Sequence, residues 1–287
     1  MSKMITIAID AMGGDGSPKK IIDGINLHYK STSNVFYKIY GDQEQISKFL
    51  PSTLNQKSFK IFDTKNIVKG TDTPLEAAKR GKDTSMWLAI ESVKKKEADV
   101  VISAGNTGAL LVISKLNLKM IENIDKPALS ALWPNKKGMS VVLDLGANIE
   151  CSDKNLIDFA IMGSSLFKSL YPDETAKVAL LNIGSEEIKG NEVIKETYKK
   201  LNQVENLDFE FKGYIEGNNL MKGEVNVIVS DGFTGNIALK TAEGTANFIT
   251  EELKKALTSN IIGKLSGLLN YINLKKFKKR LDPRLYN

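Results

Sequence analysis

The sequence predicts an α/β protein in three layers, with a mostly parallel sheet covered by helices on both faces. Short runs rich in β-branched residues alternate along the chain with longer stretches of helical spacing, a pattern typical of parallel sheets. Two of the runs, VVISA and VNVIV, are almost wholly apolar, as strands buried on both faces should be. No Pro/Gly/Ser-rich linker interrupts the sequence, which favours a single α/β domain over residues 1–287.

The predicted elements follow in order along the chain. The strands are Ile5–Asp10, Val35–Tyr40, Phe59–Phe62, Val100–Ser103, Val141–Asp144, Val178–Asn182, Phe209–Phe211 and Val225–Ser230. Between most of them lie longer stretches with helical spacing, for example Pro74–Lys96, Asn155–Leu170, Asn191–Gln203 and Asn236–Leu257. The N-terminal apolar run is too short for a signal peptide, so we expect it to be the first buried strand. Because no apolar stretch is long enough to span a bilayer, we expect a cytoplasmic protein.

The composition argues against several kinds of site. Cys151 is the single cysteine and His28 the single histidine of the 287 residues, so an intramolecular disulfide and a Cys- or His-rich metal site are both excluded. No metal is predicted. His28 has no Ser or Cys motif beside it, and we expect it to pack on a helix. Forty basic against 34 acidic residues give a formal net charge of +6, which favours an acidic partner, although surface lysines are often simply solvated.

Five predicted strand ends carry small or amide residues, and open α/β sheets bind ligands at that edge. The loops read DAMGGD at 10–15, SAGNTG at 103–108, DLGAN at 144–148, NIGS at 182–185 and SDGFTGN at 230–236. Glycine lets the backbone approach a ligand closely, and N–H groups at the start of the next helix attract an anion. Such glycines also serve loop geometry alone. Together the five loops predict a polar, anion-binding cleft.

The pattern Ser-x-Gly-x-Thr-Gly occurs twice, at Ser103–Gly108 and Ser230–Gly235, each time between a strand-like and a helix-like run. The two turns can face one cleft and offer donors to one ligand, or they are two solutions to the same local problem. The sequence contains neither a P-loop nor a dinucleotide-binding fingerprint. The expected ligand is therefore a small anion such as phosphate, or a carbonyl oxygen, rather than a nucleotide.

Few charged residues lie near these loops. Lys189 follows Gly184 closely enough to cover an anion with its ammonium group, although an exposed lysine without a role is the common alternative. Arg80 and Lys82 fall on a predicted helix, where a solvated face is expected. Asp10, Asp144 and Asp231 stand at strand ends, where aspartates orient neighbours or, more commonly, cap helices and turns.

Five blocks together resemble one family. IDAMGGDGSP, SAGNTGALL, VVLDLGAN, LLNIGSEEIKGNE and SDGFTGNIALK stand in order between Ile9 and Lys240. They resemble the signature blocks of the PlsX family, the acyl-[acyl-carrier-protein]:phosphate acyltransferases of bacterial phospholipid synthesis, and DKPALSALWP at Asp125–Pro134 adds to the match. The resemblance implies a Rossmann-like fold related to the isocitrate-dehydrogenase and phosphotransacetylase type, usually as a homodimer.

The resemblance also implies the reaction. A fatty acyl group passes reversibly from acyl carrier protein to inorganic phosphate, without a cofactor or nucleic acid, and a downstream acyltransferase uses the acyl phosphate to acylate glycerol 3-phosphate at the membrane. Lys189 and Asn236 match the family's functional lysine and asparagine. We expect substrate or phosphate binding at Asp10, Gly13, Gly14, Asn106, Thr107, Gly108, Asn148, Asp231, Thr234 and Gly235.

This sequence departs from the family in two places. Gly16 and Ser17 stand where members usually carry a bulky residue, often histidine. The chain also ends at LDPRLYN, short of the region into which its relatives continue. These departures leave a non-catalytic scaffold for carrier protein and membrane as an alternative function. A decarboxylating dehydrogenase on the same fold is a second alternative. The dehydrogenase needs an acidic metal cluster and several arginines, which we do not find.

The stretch from about 241 to 280 predicts an interface. Apolar residues recur near helical spacing from Ile261 to Ile272, and five basic residues follow between Lys275 and Arg280. An apolar stripe of this kind is most often core or dimer interface. Beside a basic cluster it also suits peripheral contact with an anionic membrane or with the acidic carrier protein.

Overall fold

The computed structural model describes residues 4–32 and 34–281. Its backbone separates into two compact units, Met1–Glu122 and Asn123–Asn287. Whether the two units form the single domain expected from the sequence depends on how they combine, so that expectation stays a prediction. The carboxyl-terminal sequence DPRLYN lies outside the described residues.

The first unit is a parallel sheet with helices packed on it. Its sheet order is β3-β2-β1-β4, and every pair is parallel. The elements in chain order are β1 (Ile5–Asp10), α1 (Lys19–Ser31), β2 (Val35–Gly41), α2 (Gln43–Ser47), β3 (Phe59–Asp63), α3 (Pro74–Lys79), α4 (Ser85–Lys94), β4 (Val100–Ser103) and α5 (Thr107–Leu118), with a short 3₁₀ helix at Gln56–Ser58.

The second unit contains a mixed sheet, in the order β5-β6-β9-β7-β8. Only the β5–β6 pair is antiparallel among the strand pairs of the described residues. The elements in chain order are β5 (Ser130–Asn135), β6 (Gly138–Leu143), α6 (Asp153–Leu170), β7 (Lys177–Asn182), α7 (Glu192–Gln203), β8 (Glu210–Glu216), β9 (Val227–Val229), α8 (Gly232–Thr258), α9 (Ile261–Leu269) and α10 (Tyr271–Leu281), with a 3₁₀ helix at Gly217–Lys222.

Alternating side chains of the second sheet enter two cores, one on each face. Val141 and Leu143 pack with α6 residues such as Phe159, whereas Val142, between them, packs on the opposite face with Leu239 of α8. This alternation follows from the two-residue period of a strand. Both faces are buried against helices, which explains why the central strands are apolar throughout. The predicted three-layer, mostly parallel α/β fold is thereby confirmed.

The predicted helix Pro74–Lys96 is wrong, because the chain forms two helices there. Thr73 and Glu76 form a capping box at the start of α3, and Thr84 caps α4 by accepting a hydrogen bond from the Trp87 N–H. Between them, Gly81 has a φ of +130°, which ends the first helix. Lys82 therefore lies in a turn rather than on a helix face.

Two other side chains of the first unit have structural partners. Arg80, the residue after α3, pairs with the buried Asp72 at 2.5 Å instead of facing only solvent. His28 lies on α1, and its Nδ1 is 2.8 Å from the hydroxyl of Tyr37. The buried Tyr37 ring packs edge-on against the imidazole, so the expected packing role of this histidine is confirmed.

Candidate active site

In the first unit, the carboxylate of Asp10 joins three elements at the end of β1. Its Oδ1 accepts hydrogen bonds from Ser85 Oγ at 2.7 Å and from the Met12 N–H at 3.2 Å. Its Oδ2 accepts one from Ser103 Oγ, also at 2.7 Å. A Cβ at Gly13 would lie 2.6 Å from Asp10 Oδ2. The side chain of Asp10 thus fastens β1 to β4 and α4, and Gly13 is required by that close approach.

The first Ser-x-Gly-x-Thr-Gly turn continues from this contact. Asn106 caps α5 by accepting a hydrogen bond from the Ala109 N–H at 3.0 Å, and its amide donates to the carbonyls of Gly70 and Asp72 at 3.1 and 2.8 Å. The Asn106 side chain is therefore engaged within the protein. Thr107 begins α5 and is exposed. Gly14 has a φ of +85°, a backbone conformation that favours glycine.

Gly16 and Ser17, the departure from the family pattern, also lie in the first unit. Gly16 has a φ of +78°, so a residue with a Cβ is strained in this conformation. The Ser17 hydroxyl donates a hydrogen bond to the carbonyl of Gly13. The short side chain of Ser17 therefore closes the loop that follows β1.

In the second unit, Asp144 follows β6, and its side chain is fully buried. Its Oδ1 accepts hydrogen bonds from the N–H groups of Leu129, Gly146 and Ala147 at 2.9–3.1 Å. Its Oδ2 accepts from the N–H and the side-chain amide of Asn148 at 2.8 and 2.7 Å. The same amide donates to the Pro127 carbonyl at 2.7 Å. One carboxylate thus organises the whole DLGAN loop.

The second Ser-x-Gly-x-Thr-Gly turn packs directly against that loop. Ser230 Oγ donates to the Asp144 carbonyl at 3.2 Å, and the Gly232 N–H donates to the Asn148 carbonyl at 2.8 Å. Asp231 caps α8: its carboxylate accepts from the N–H and the hydroxyl of Thr234, both at 2.8 Å. A Cβ at Gly235 would overlap the backbone carbonyl oxygen of Asp144, in the DLGAN loop. This glycine therefore permits the close packing of the two loops.

Asn236 is the exposed polar residue of this turn. Its Nδ2 donates to the Leu145 carbonyl at 3.1 Å. Among the described residues its Oδ1 has no hydrogen-bond partner, and one amide hydrogen also remains. Asn236 is therefore anchored at one atom and can offer both a donor and an acceptor to a ligand.

Lys189 lies in the loop between β7 and α7, in the same unit. Its side chain is exposed, and its stem lies close to Gly184, where a Cβ would be 3.0 Å from Lys189 Cγ. Within the described part of the chain, the ammonium group forms no ion pair. Since β7 is hydrogen-bonded to β9 in parallel, the loop of Lys189 and the helix start that carries Asn236 follow the carboxyl ends of neighbouring strands.

A pocket of about 520 Å³ lies beside the start of α8. Its lining includes Asp231, Phe233 and Thr234 together with Cys151. The Cys151 thiol contacts the Asn148 carbonyl at 3.7 Å, and burial raises the pKa of this thiol. Because the thiolate is the reactive form, the raised pKa makes Cys151 a weak nucleophile.

The predicted site residues divide equally between the two units. Asp10, Gly13, Gly14, Asn106, Thr107 and Gly108 belong to the first unit, and Asn148, Lys189, Asp231, Thr234, Gly235 and Asn236 belong to the second. Within the second unit, hydrogen bonds and close approaches join the loop of Asn148 to the turn of Asn236. The binding roles of all twelve residues stay predictions.

Sequence reasoning missed the side chain that supports the Lys189 loop. Asn182, the last residue of β7, is buried and donates to the carbonyls of Gly184 and Lys189. The sequence gives Asn182 as the first residue of the NIGS loop at 182–185, one of five similar strand ends, and nothing in that pattern singles out its side chain. Asp144 was recognised at its strand end, but the number of N–H groups around its carboxylate was not predictable from the sequence.

Comparison with known proteins places the chain in a family. Residues 5–287 match the family described as fatty acid synthesis protein. A phosphate acyltransferase of Pelagibacter ubique (strain HTCC1062) is 80% identical over 287 residues, which cover 100% of this chain and 86% of the relative. The chain belongs to the PlsX family. Phosphate acyltransferases of Maricaulis maris and Rhodospirillum rubrum are both 42% identical to this PlsX chain, with 100% of it and 83% and 82% of the relatives covered.

Solved structures with the same fold are known. The EutD phosphotransacetylase from Staphylococcus aureus matches 85% of this PlsX chain and 82% of its own, with a TM-score of 0.59 and 14% identity. A phosphotransacetylase from Streptococcus pyogenes matches 84% and 82%, with a TM-score of 0.60 and 16% identity. These likenesses support the fold of the PlsX chain.

The described residues contain neither a cluster of metal-ligating side chains nor a helix that could span a membrane. Nowhere in 4–32 and 34–281 do three or more His, Cys, Asp or Glu residues cluster as a metal would require. None of the helices in these ranges has the length and apolar character needed to cross a membrane.

Proposed function

We propose that this protein transfers a fatty acyl group reversibly from acyl carrier protein to inorganic phosphate and so supplies acyl phosphate for phospholipid synthesis. The observation that carries the proposal is the 80% identity, over the whole chain, to a protein named phosphate acyltransferase. The match to the fatty acid synthesis family over residues 5–287 agrees with it.

In this reaction a phosphate oxygen attacks the carbonyl carbon of the thioester. A C–O bond forms, the carbonyl oxygen briefly carries negative charge, and the C–S bond then breaks to release the thiolate of the carrier protein. Phosphate is already a nucleophile and thiolate is a good leaving group. The protein must therefore position two partners and stabilise the oxyanion, which fixed donors can do.

Lys189 is proposed to neutralise the phosphate. Its exposed ammonium group lacks an acidic partner among the described side chains, so binding an anion does not require an internal ion pair to break. A charge-assisted contact of this kind is stronger than a neutral hydrogen bond. The exposed position also gives phosphate direct access from solvent.

Asn236 is proposed to hydrogen-bond the thioester carbonyl or the phosphate. Its amide nitrogen is held by the Leu145 carbonyl at 3.1 Å, which fixes the side chain before the substrate arrives. The remaining amide hydrogen is the donor that an oxyanion requires. The predicted binding residues of the same unit, Asn148, Asp231, Thr234 and Gly235, lie in the loop and the turn that pack together beside this group.

Direct assay tests the proposed function. The purified protein should form acyl phosphate from acyl-acyl carrier protein and inorganic phosphate, detected by trapping with hydroxylamine, while Lys189→Ala should lose most of the activity. Carrier binding without turnover would favour the scaffold alternative. Turnover of a hydroxy acid with a nicotinamide coenzyme would favour the dehydrogenase alternative.

A second proposal concerns α9 and α10, which we infer to touch an anionic membrane from the cytoplasmic side. Six apolar residues of these helices are at least 57% exposed: Ile261, Ile262, Leu265, Leu268, Leu269 and Ile272. The basic residues Lys275, Lys276, Lys278, Lys279 and Arg280 follow in α10. Each basic residue near an anionic surface contributes about 1 kcal/mol, and docking there would bring the product close to the glycerol-3-phosphate acyltransferase that uses it.

The homodimer is proposed to form through the exposed apolar residues of α8. Phe248 and Ile249 remain 64% and 45% exposed, and an equivalent helix of a second copy would cover them.

Membrane docking and dimer formation can be tested separately. Changing Lys275, Lys276, Lys278 and Lys279 to Glu should abolish binding to anionic vesicles and leave soluble turnover nearly intact, whereas equal binding of the wild type to neutral vesicles would contradict membrane docking. Loss of the dimer in Leu268→Ser/Leu269→Ser, with lipid binding unchanged, would assign α9 to the dimer.

A further inference from the structure

We infer that Asn182 is a positioning residue that holds Lys189 in place for phosphate binding, an inference that rests on the function proposed above. Asn182 ends β7 and is only 7% exposed. Its two amide hydrogens go to the carbonyls of Gly184 and Lys189, each at 3.2 Å. These two carbonyls bracket the loop, so one side chain ties both ends of it to the strand.

The orientation of the amide group follows from its neighbours. Both contacts at 3.2 Å are carbonyl oxygens, which can only accept hydrogen bonds. The NH₂ group must therefore face them. On the other side, Oδ1 has no hydrogen-bond partner in residues 4–32 and 34–281. The donors of Asn182 are thus the part of the side chain that the loop uses.

The chain beyond Lys189 is fixed as well. Gly190 has a φ of +94°, and a Cβ there would lie 2.5 Å from Asn182 Oδ1. The next residue, Asn191, caps α7 by accepting a hydrogen bond from the Ile194 N–H at 2.9 Å. Lys189 therefore lies between a buried clamp and a helix cap, and only its side chain extends into solvent.

A third contact restrains the outer side of the loop. The hydroxyl of Tyr198, on α7, donates to the Glu187 carboxylate at 2.8 Å, and this hydrogen bond is the main cause that raises the pKa of Tyr198. Inside the loop, the Lys189 N–H donates to the Glu186 carbonyl at 2.9 Å. Since the lysine stem itself is flexible, a fixed backbone is the means by which the protein limits where the ammonium group can reach.

The chain offers a matched control. Asn135 is also 7% exposed. Its Nδ2 donates to Ser140 Oγ at 2.9 Å, its Oδ1 accepts from the Lys137 N–H at 2.8 Å, and it packs on a glycine of positive φ, Gly223. It lies where β5 ends and β6 begins, at the sheet edge opposite the carboxyl end of β7. Asn135→Ala therefore removes a buried amide from the same unit without touching the Lys189 loop.

The test is a double-mutant cycle measured on the full chain with inorganic phosphate as the varied substrate. Asn182→Ala should raise the KM for phosphate about tenfold with a smaller change in kcat. In the Lys189→Ala background the same substitution should change this KM by less than about twofold, because the residue acts through the lysine. Asn135→Ala should leave the KM unchanged. Hydrogen exchange should be faster at 184–190 in Asn182→Ala than in the wild type.

Should Asn182→Ala not fold, Gly190→Ala disturbs the same clamp from the other side and should raise the same KM. Fold changes that multiply in the Asn182→Ala/Lys189→Ala double variant would overturn the inference, since the asparagine would then act independently of the lysine. If the wild type is active and Asn182→Ala leaves the KM for phosphate unchanged, this inference is overturned while the proposed function stands. A wild type without acyl-phosphate synthesis would overturn the proposed function and this inference together.

Discussion

The two Ser-x-Gly-x-Thr-Gly turns share a sequence and a first contact but not a structure. In each turn the serine hydroxyl donates a hydrogen bond to an aspartate at the end of the neighbouring strand: Ser103 to the carboxylate of Asp10, the last residue of β1, and Ser230 to the backbone carbonyl of Asp144, the residue after β6. Beyond that contact they diverge. Asn106 caps the first helix, whereas Asp231 caps the second, two positions earlier in the pattern. The pattern therefore fastens strand to strand, while the residues at its variable positions decide where the helix begins.

The position after the second glycine differs in a way that bears on function. In the first turn it is Ala109, which is fully buried against α4 and its neighbours. In the second it is Asn236, which is exposed and only partly engaged. The first turn thus buries an apolar side chain in a core, and the second turn exposes an amide group to solvent. The position after the second glycine therefore contributes to packing in the first turn, whereas in the second turn it can contact a substrate.

The largest effect is expected at the two aspartates. Asp144→Ala should lower the free energy of unfolding by about 4 kcal/mol, because it removes a buried carboxylate that accepts hydrogen bonds from four backbone N–H groups. Asp10→Ala should cost about 2 kcal/mol, because two of its donors are serine hydroxyls that can rotate to other acceptors. Urea unfolding followed by circular dichroism measures both. A greater loss in Asp10→Ala would break the comparison.

The next effect concerns Lys189, whose loop borders the second turn's strand. Lys189→Ala should lower kcat/KM by about a hundredfold, chiefly through the KM for phosphate, as expected for the loss of a charge-assisted contact. Steady-state kinetics with varied phosphate measures the change. The exposed Lys82→Ala of the first unit is the control and should be neutral. Unchanged kinetics in a folded Lys189→Ala protein would remove this lysine from the site.

Asn236 gives a sharper test of the difference between the turns. Asn236→Ala places alanine after the second glycine, as Ala109 is in the first turn. We expect kcat/KM to fall about tenfold, the value of one hydrogen bond. Asn236→Asp should lose more, because a negative charge then faces an anion. The same kinetic assay decides between them. If Asn236→Asp is the milder change, the residue does not face the phosphate.

The smallest effect is expected at the two threonines. Thr234→Val should destabilise the protein by about 1 kcal/mol, because the Thr234 hydroxyl donates to Asp231 at the cap of α8. Thr107→Val should change stability by less than about 0.5 kcal/mol, because its side chain is exposed at the start of α5. Thermal unfolding of the two variants, compared with the wild type, tests the difference. Equal losses would mean that the turns are structurally alike after all.

Much of the fold was predictable because the central strands are apolar runs bounded by glycine and polar residues. β5 was missed for a physical reason. It contains Pro134 and pairs only with β6, antiparallel, at an edge of the sheet, where proline is tolerated but the strand signal is weak. The start of α8 was placed four residues late, at Asn236, because the capping role of Asp231 competes with its reading as part of a loop.

The candidate site was predictable as a set of loops but not as a set of contacts. Lys189 and Asn236 stand in motifs, so their positions could be named from the sequence. The role of Asn182 depends on where the chain returns at Lys189, seven residues later, and that return is set by Gly190 and the cap of α7. Local sequence does not encode such closure. The support beneath a site is therefore harder to predict than the residues at its surface.

The continuous helix α8 links the second turn to α9, and the number of residues in α8 sets the direction in which α9 faces. Its 27 residues run from the second turn to the start of the exposed apolar helix α9, a rise of about 40 Å. Each residue inserted into such a rod rotates everything beyond it by about 100°. A two-residue insertion would swing the apolar side of α9 to the far side of the axis while leaving the turn unchanged. An insertion of seven residues, close to two full turns, would lengthen the rod and restore the facing. The number of residues in α8 thus fixes the orientation of α9 about the helix axis relative to the second turn.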